Sequence, residues 1–226
     1  KIKMKIRKLE TGEKLNTRKL YEEVFSEDSK DFVDYYYEEK VKDNQIYVVE
    51  EDGEIQAMLH LNPYELAVNG SRKDVNYIVA VATKKEYRSR GYMRALLNTV
   101  LERMHSEKVP FTFLMPAAEA IYRPYDFRYI YDQCMQEVKK DETADARNRE
   151  SEPQKEGTLE FSDAGLWDAE EMADFFEEHF SDSWQVYAQR DTAYYQTMNL
   201  IEAINGSDDN AFVSRWGGEI LYDNYQ

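Results

Sequence analysis

The sequence predicts an α/β fold of the α+β kind, with an antiparallel half of a mixed sheet leading into a βαβ crossover. Three observations predict it. Residues 77–83 are apolar and rich in valine, a short Arg/Gly stretch and a helical pattern follow them, and residues 111–115 read as another strand. Ahead of this unit, Asp52-Gly53 and Asn69-Gly70 each divide strand-like segments, and such pairs supply the positive φ angles of tight hairpin turns. The 226 residues are 42% hydrophobic, enough for the core of one large domain or two small ones.

Residues 4–9 alternate charged with apolar side chains and form the expected first strand. Asn16 is the expected cap of a helix reaching about Phe25, and Ser29 or Asp31 that of a second helix over residues 32–41. Phe32, Tyr35 and Tyr36 lie near helical spacing, so Tyr35, Tyr36 and Tyr37 belong to the core or to the wall of a cleft. Residues 45–50 and 54–61 make a hairpin, and residues 63–68 continue the meander toward the strand that ends at Thr83. Over residues 90–105, Met93, Leu96, Leu97, Val100, Leu101 and Met104 recur at three- and four-residue steps, one apolar helix face for the sheet. Val109-Pro110 ends that connection, and Pro116 breaks the strand after it.

Residues 139–157 are charged, interrupted by proline and without apolar periodicity. The expected organisation is therefore a first domain over 1–137, a linker over 138–157, and a second unit over 158–226. Within that unit, a strand is expected at 158–161, helices at 166–180 and 191–204, and a hairpin of 211–216 with 219–225 around Gly217-Gly218. This order repeats the start of the first domain.

A formal charge of −16 and a pI near 4.7 argue against nucleic acid as partner. The acidic balance either favours cationic substrates or serves solubility alone. One cysteine, Cys134, leaves no intramolecular disulfide and no cysteine-cluster metal site, in keeping with a reducing cytoplasm. His60, His105 and His179 are scattered without metal-ligand spacing, so no metal is expected. No apolar stretch approaches the roughly 20 residues of a membrane helix, and the charged opening is unlike a signal peptide. A homo-oligomer is compatible with the sequence.

The chemistry concentrates where strand 77–83 turns into the helix, at Arg88, Ser89, Arg90, Gly91, Tyr92, Met93 and Arg94. The first amides of a helix have no internal acceptor, and the helix dipole adds partial positive charge, so this junction reads as a cradle for a diphosphate. Gly91 permits close approach of the ligand to the main chain, and Arg88, Arg90 and Arg94 add formal charge with paired donors.

Arg88 and Gly91, together with the segment from Ala118 to Tyr129 after the next strand, resemble the acetyl-CoA-binding region of the GNAT superfamily of N-acetyltransferases. The family signature there is Gln/Arg-x-x-Gly-x-Gly/Ala; here Met93 replaces the final small residue. Asp126 stands where the family's Tyr-x-x-x-Gly-Phe corner has glycine, and Asp tolerates the left-handed conformation. Ala117 stands where relatives often have a serine. The resemblance covers residues 77–130 and is similar to the "enhanced intracellular survival" type. Proteins of that type carry two tandem GNAT-like domains and a sterol-carrier-like domain, so this chain would hold the first and an incomplete second.

The resemblance implies a GNAT-like acyl-CoA N-acyltransferase fold and acetyl-CoA as co-substrate. The amides of Arg88, Ser89, Arg90, Gly91, Tyr92, Met93 and Arg94 would hold the pyrophosphate, and Val81, Ala82 and Thr83 would pair with the pantetheine arm. Tyr122 matches the general acid toward the CoA thiolate. The acceptor implied is a primary amine of a cationic small molecule or of a lysine side chain. The general base of the similar type is a C-terminal carboxylate from its third domain; Glu119 and His60 are the local alternatives. The rival expectation is a CoA-binding or assembly module without catalysis.

Overall fold

The two dipeptide turns organise the sheet in the computed structural model, which describes residues 4–130 and 164–205. Asp52 and Gly53 have φ of 55° and 81°, and Asn69 and Gly70 have φ of 48° and 72°. Positive φ at both central positions gives the turn whose twist matches that of the flanking strands. The strands β1 (Lys5–Lys8), β2 (Gln45–Glu51), β3 (Glu54–Val68) and β4 (Ser71–Thr83) are antiparallel neighbours in that order. β5 (Thr112–Phe113) lies parallel to β4, which completes the βαβ crossover. Pro63 falls beyond the end of β2, where β3 has a neighbour on one side only and a missing N–H costs little.

Both faces of the sheet are covered, so alternate residues of one strand enter different cores. Ile46, Val48 and Met58 pack with Leu20, Tyr21, Val33 and Tyr36 of α1 (Arg18–Val24) and α2 (Lys30–Glu38). Tyr47, Val49, Ala57, Leu59 and Ile78 meet Leu96, Leu97, Val100 and Met104 of α3 (Tyr92–Ser106), the apolar face expected from the spacing. Tyr35, Tyr36 and Tyr37 are all buried, which makes them core side chains.

Several boundaries differ from the expectation. The segment around Asn16 winds as a 3-10 helix through Thr17, and α1 starts at Arg18. Thr17 turns inward, where its hydroxyl shares a 3.0 Å hydrogen bond with that of Tyr37. Ser29, rather than Asp31, caps α2, accepting from the Phe32 amide at 3.1 Å. β5 is two residues long, because the chain after Phe113 parts from β4.

The later part of the chain forms α5 (Ala169–His179), β6 (Val186–Ala188) and α6 (Thr192–Asn205), following α4 (Glu119–Tyr122). The helices fall where the periodicity put them. β6, too short to read from sequence, pairs antiparallel with Leu66, Ala67 and Val68 of β3, on the side β2 has vacated. Met198 of α6 packs with Phe32 and Tyr35 of α2. The expected strand at 158–161, the hairpin at 211–225, the linker and Cys134 lie outside the described residues.

Candidate functional site

A β-bulge shapes the middle of β4. Met58 pairs with Ala82 and His60 with Val79, so three steps along β4 oppose two along β3, and Ala80 takes a φ of 51°. A bulge bends its strand and increases local twist. β5 pairs with β4 only at Asn76 and Tyr77, so beyond them β4 has no strand neighbour on that side among the described residues. Val81, Ala82 and Thr83 lie on this open edge, where an extended ligand can pair with main-chain groups that neither β3 nor the Arg88 side chain engages. Nothing in the sequence signalled the bulge, since alanine carries no preference for positive φ.

The chain then reaches α3 through a loop of alternating hand. Ser89 has a φ of 62° and Gly91, the residue preceding the helix, a φ of 82°. The first amide of this stretch with a main-chain acceptor is that of Ala95, which donates to the Gly91 carbonyl at 3.0 Å. The amides of Ser89, Arg90, Gly91, Tyr92, Met93 and Arg94 have no acceptor among the described residues. Successive amides in mixed left- and right-handed conformations form a concave anion nest, and the α3 dipole adds to it.

The side chains divide their work. Arg88 donates from Nε to the Thr83 carbonyl at 3.3 Å, which ties the loop to the end of β4. Arg90 lies over the Tyr87 ring, 4.5 Å from its centroid, and 4.0 Å from the Glu51 carboxylate. Tyr92 is buried, with its hydroxyl donating to Glu51, so it offers its amide and not its ring. Met93 packs into the α3 core, while Arg94 is exposed. Arg94 also lines a groove of about 510 Å³ with Asn98, Ala120, Ile121, Pro124 and Tyr125, between α3 and α4.

Tyr122 ends α4 on the other side of this corner and is 8% exposed. Its ring meets Phe127 edge-on, with centroids 5.9 Å apart. Burial pushes its phenol above the ordinary tyrosine value, and the hydroxyl has no hydrogen-bond partner among the described residues. Asp126 adopts the left-handed conformation, φ 65° and ψ 16°, that its place in the corner requires. The two local base candidates are otherwise engaged. Glu119 pairs with Arg123 at 3.0 Å one turn along. His60 is fully enclosed beneath α2, bonded through Nδ1 to the Tyr36 hydroxyl at 2.9 Å. Among the described residues no three His, Cys, Asp or Glu side chains group as metal ligands, and no helix is long and apolar enough to cross a membrane.

Residues 5–130 match the family model described as an acetyltransferase (GNAT) domain. Among solved structures, the chain is similar to a conserved protein of unknown function from Enterococcus faecalis, described as a probable N-acyltransferase. The two are 21% identical, with a TM-score of 0.52 over 55% of this chain and 32% of that one. The chain therefore spans about a third of that relative's length. It is also similar to a "predicted acetyltransferase with acetyl-CoA" from Clostridium acetobutylicum, at 13% identity and a TM-score of 0.52 over 60% of this chain and 96% of that one. No curated protein sequence matches. At these identities the structural likeness concerns the fold alone.

Proposed function

The chain belongs to the GNAT acetyltransferase family, and on that premise we propose that it moves the acetyl group of acetyl-CoA to a primary amine of a cationic small molecule or a lysine side chain. The observation that carries this reading is the run of six unpartnered amides from Ser89 to Arg94, set beside the open edge of β4. Such a run fits a pyrophosphate, which brings several acceptor oxygens to one place. The free edge at Val81, Ala82 and Thr83 fits the amide-bearing pantetheine arm, and Arg88 and Arg94 supply charge.

When bound there, acetyl-CoA supplies an activated acyl carbon and a thiolate leaving group. A β4 amide dipole facing the carbonyl oxygen stabilises the charge that gathers on it, a contribution of about 3 kcal/mol in comparable sites. The amine nitrogen forms its bond to the acyl carbon as the bond to sulfur breaks. Tyr122 holds its proton at neutral pH and gives it to the sulfur, since a phenol raised by burial titrates far above a thiol near 8.5. The attacking nitrogen gives its proton to a group other than the two local candidates, since His60 is enclosed and Glu119 is paired with Arg123.

The same reading makes 1–137 the acetyltransferase domain, 138–157 a linker and 158–226 part of a second GNAT-like unit, as in the enhanced-intracellular-survival type. The sequence pattern of two helices followed by a hairpin around Gly217-Gly218 motivates it, while β6, between α5 and α6, joins the sheet of the first unit through β3.

A thiol-release assay with acetyl-CoA and a panel of polyamines, aminoglycosides and lysine peptides tests the reaction. Acceptor-dependent release is expected; tight CoA binding with no release from any amine would leave a binding module instead. The cofactor corner has its own test in Gly91→Val. A β-branched residue is strained at φ 82°, so CoA affinity by calorimetry falls by about tenfold or more. Unchanged affinity would remove the loop from the cofactor site.

A further inference from the structure

We propose that Glu51 is a positioning residue for the coenzyme: its buried carboxylate holds Tyr92 and Arg90 and thereby fixes the amides of residues 89–94 for the pyrophosphate. The proposal rests on the reading of that loop as the acetyl-CoA site. Glu51 ends β2, 41 residues before Tyr92, and is 4% exposed. A carboxylate is buried at high cost unless it is paired. The partners of the Glu51 carboxylate come from the loop and from the helix start that follows it: the Arg90 guanidinium stands 4.0 Å away, and the Tyr92 hydroxyl donates to it.

These contacts continue through the aromatic rings above. The Tyr92 ring stacks on Tyr87, with centroids 6.0 Å apart and planes at 28°, and the Arg90 guanidinium covers Tyr87 at 4.5 Å. Tyr87, Arg90 and Tyr92 therefore form one assembly, and the main chain between them bears the unpartnered amides. The hairpin supporting Glu51 is pinned as well. Gln56 accepts from the Lys84 amide at 2.9 Å, and its side chain donates to the Glu51 carbonyl at 3.4 Å. A neutral residue would suffice to satisfy a tyrosine. A negative charge under an anion site is explained by Arg90, whose half-exposed guanidinium Glu51 draws toward the loop. Order fixed before binding is order that the ligand need not impose.

Calorimetry of CoA, dephospho-CoA and, by ligand-observed NMR, pantetheine against the wild-type chain, Glu51→Ala, Glu51→Gln, Tyr92→Phe and Glu51→Ala/Tyr92→Phe decides the matter. Glu51→Ala and Tyr92→Phe are expected to weaken CoA and dephospho-CoA alike by about tenfold or more, the loss of one charge-assisted hydrogen bond. The double variant is expected to match Glu51→Ala within about twofold, because both changes remove one contact. Glu51→Gln keeps an acceptor for Tyr92 but no charge for Arg90, and is expected to lose about threefold; this isosteric variant decides if Glu51→Ala does not fold. Pantetheine, which lacks the pyrophosphate, is expected to bind all folded variants as it binds wild type. Unchanged CoA affinity in the Glu51 variants, additive losses in the double variant, or an equal loss with pantetheine would overturn the positioning role. A wild-type chain that binds neither CoA nor dephospho-CoA would overturn the reading of the site itself.

Discussion

Tyr122→Phe lowers turnover by about two to four orders of magnitude, the usual worth of a general acid, while CoA affinity stays within about twofold. The separation follows from what the hydroxyl does in the free protein. Its ring fills a buried place against Phe127, and phenylalanine fills the same place. The hydroxyl has no partner among the described residues, so its removal strands no donor or acceptor. On the proposed reading, what disappears is a proton donor for the sulfur, and that matters only when the carbon–sulfur bond is breaking. Steady-state thiol release with calorimetry of CoA measures both quantities. An equal fall in turnover and affinity would reduce Tyr122 to part of the wall.

His60→Gln flattens the acid limb of the stability curve. Enclosure in the core is the main reason the imidazole is pushed down to about 3, with the nearby Lys14 ammonium second. In the unfolded chain the same group titrates near 6.5, so below that pH the unfolded state binds a proton that the folded state refuses. Stability therefore falls as pH drops from about 6.5 toward 3, by up to about 1.4 kcal/mol per pH unit from this residue alone. Glutamine keeps an acceptor for the Tyr36 hydroxyl and does not titrate. Urea unfolding at a series of pH values between about 7 and 5 should show the wild-type curve steeper than the variant's. Parallel curves would mean that His60 is protonated in the folded protein.

Legibility from sequence tracked the range of the interaction. The turns at Asp52-Gly53 and Asn69-Gly70, the apolar face of α3 and the left-handed Asp126 depend on local chemistry, and each stands where the residues put it. The Arg/Gly loop was equally plain, because strand, turn and helix are contiguous there. Other features depend on residues far apart in the chain. The bulge at Ala80 answers the pairing of β4 with β3, and alanine gives no hint of it. The link from Glu51 to Tyr92 joins a hairpin to a helix start, with neither residue unusual where it stands. Asn16 has the chemistry of a cap, yet the inward turn of Thr17 toward Tyr37 delays the helix. His60, unremarkable in the sequence, is set apart only by the burial that the α2 layer imposes.

The pairing of β6 with β3 bears on how this protein can be subdivided. Cutting the chain after residue 130 would strip three residues' worth of ladder from Leu66, Ala67 and Val68 and bare the flank of α2 at Phe32 and Tyr35. An uncovered rim of that kind is a template on which another molecule's strand can grow. A fragment meant to keep this edge covered therefore has to include residues 186–188, and the sheet borrows its guard against aggregation from a segment beyond residue 130.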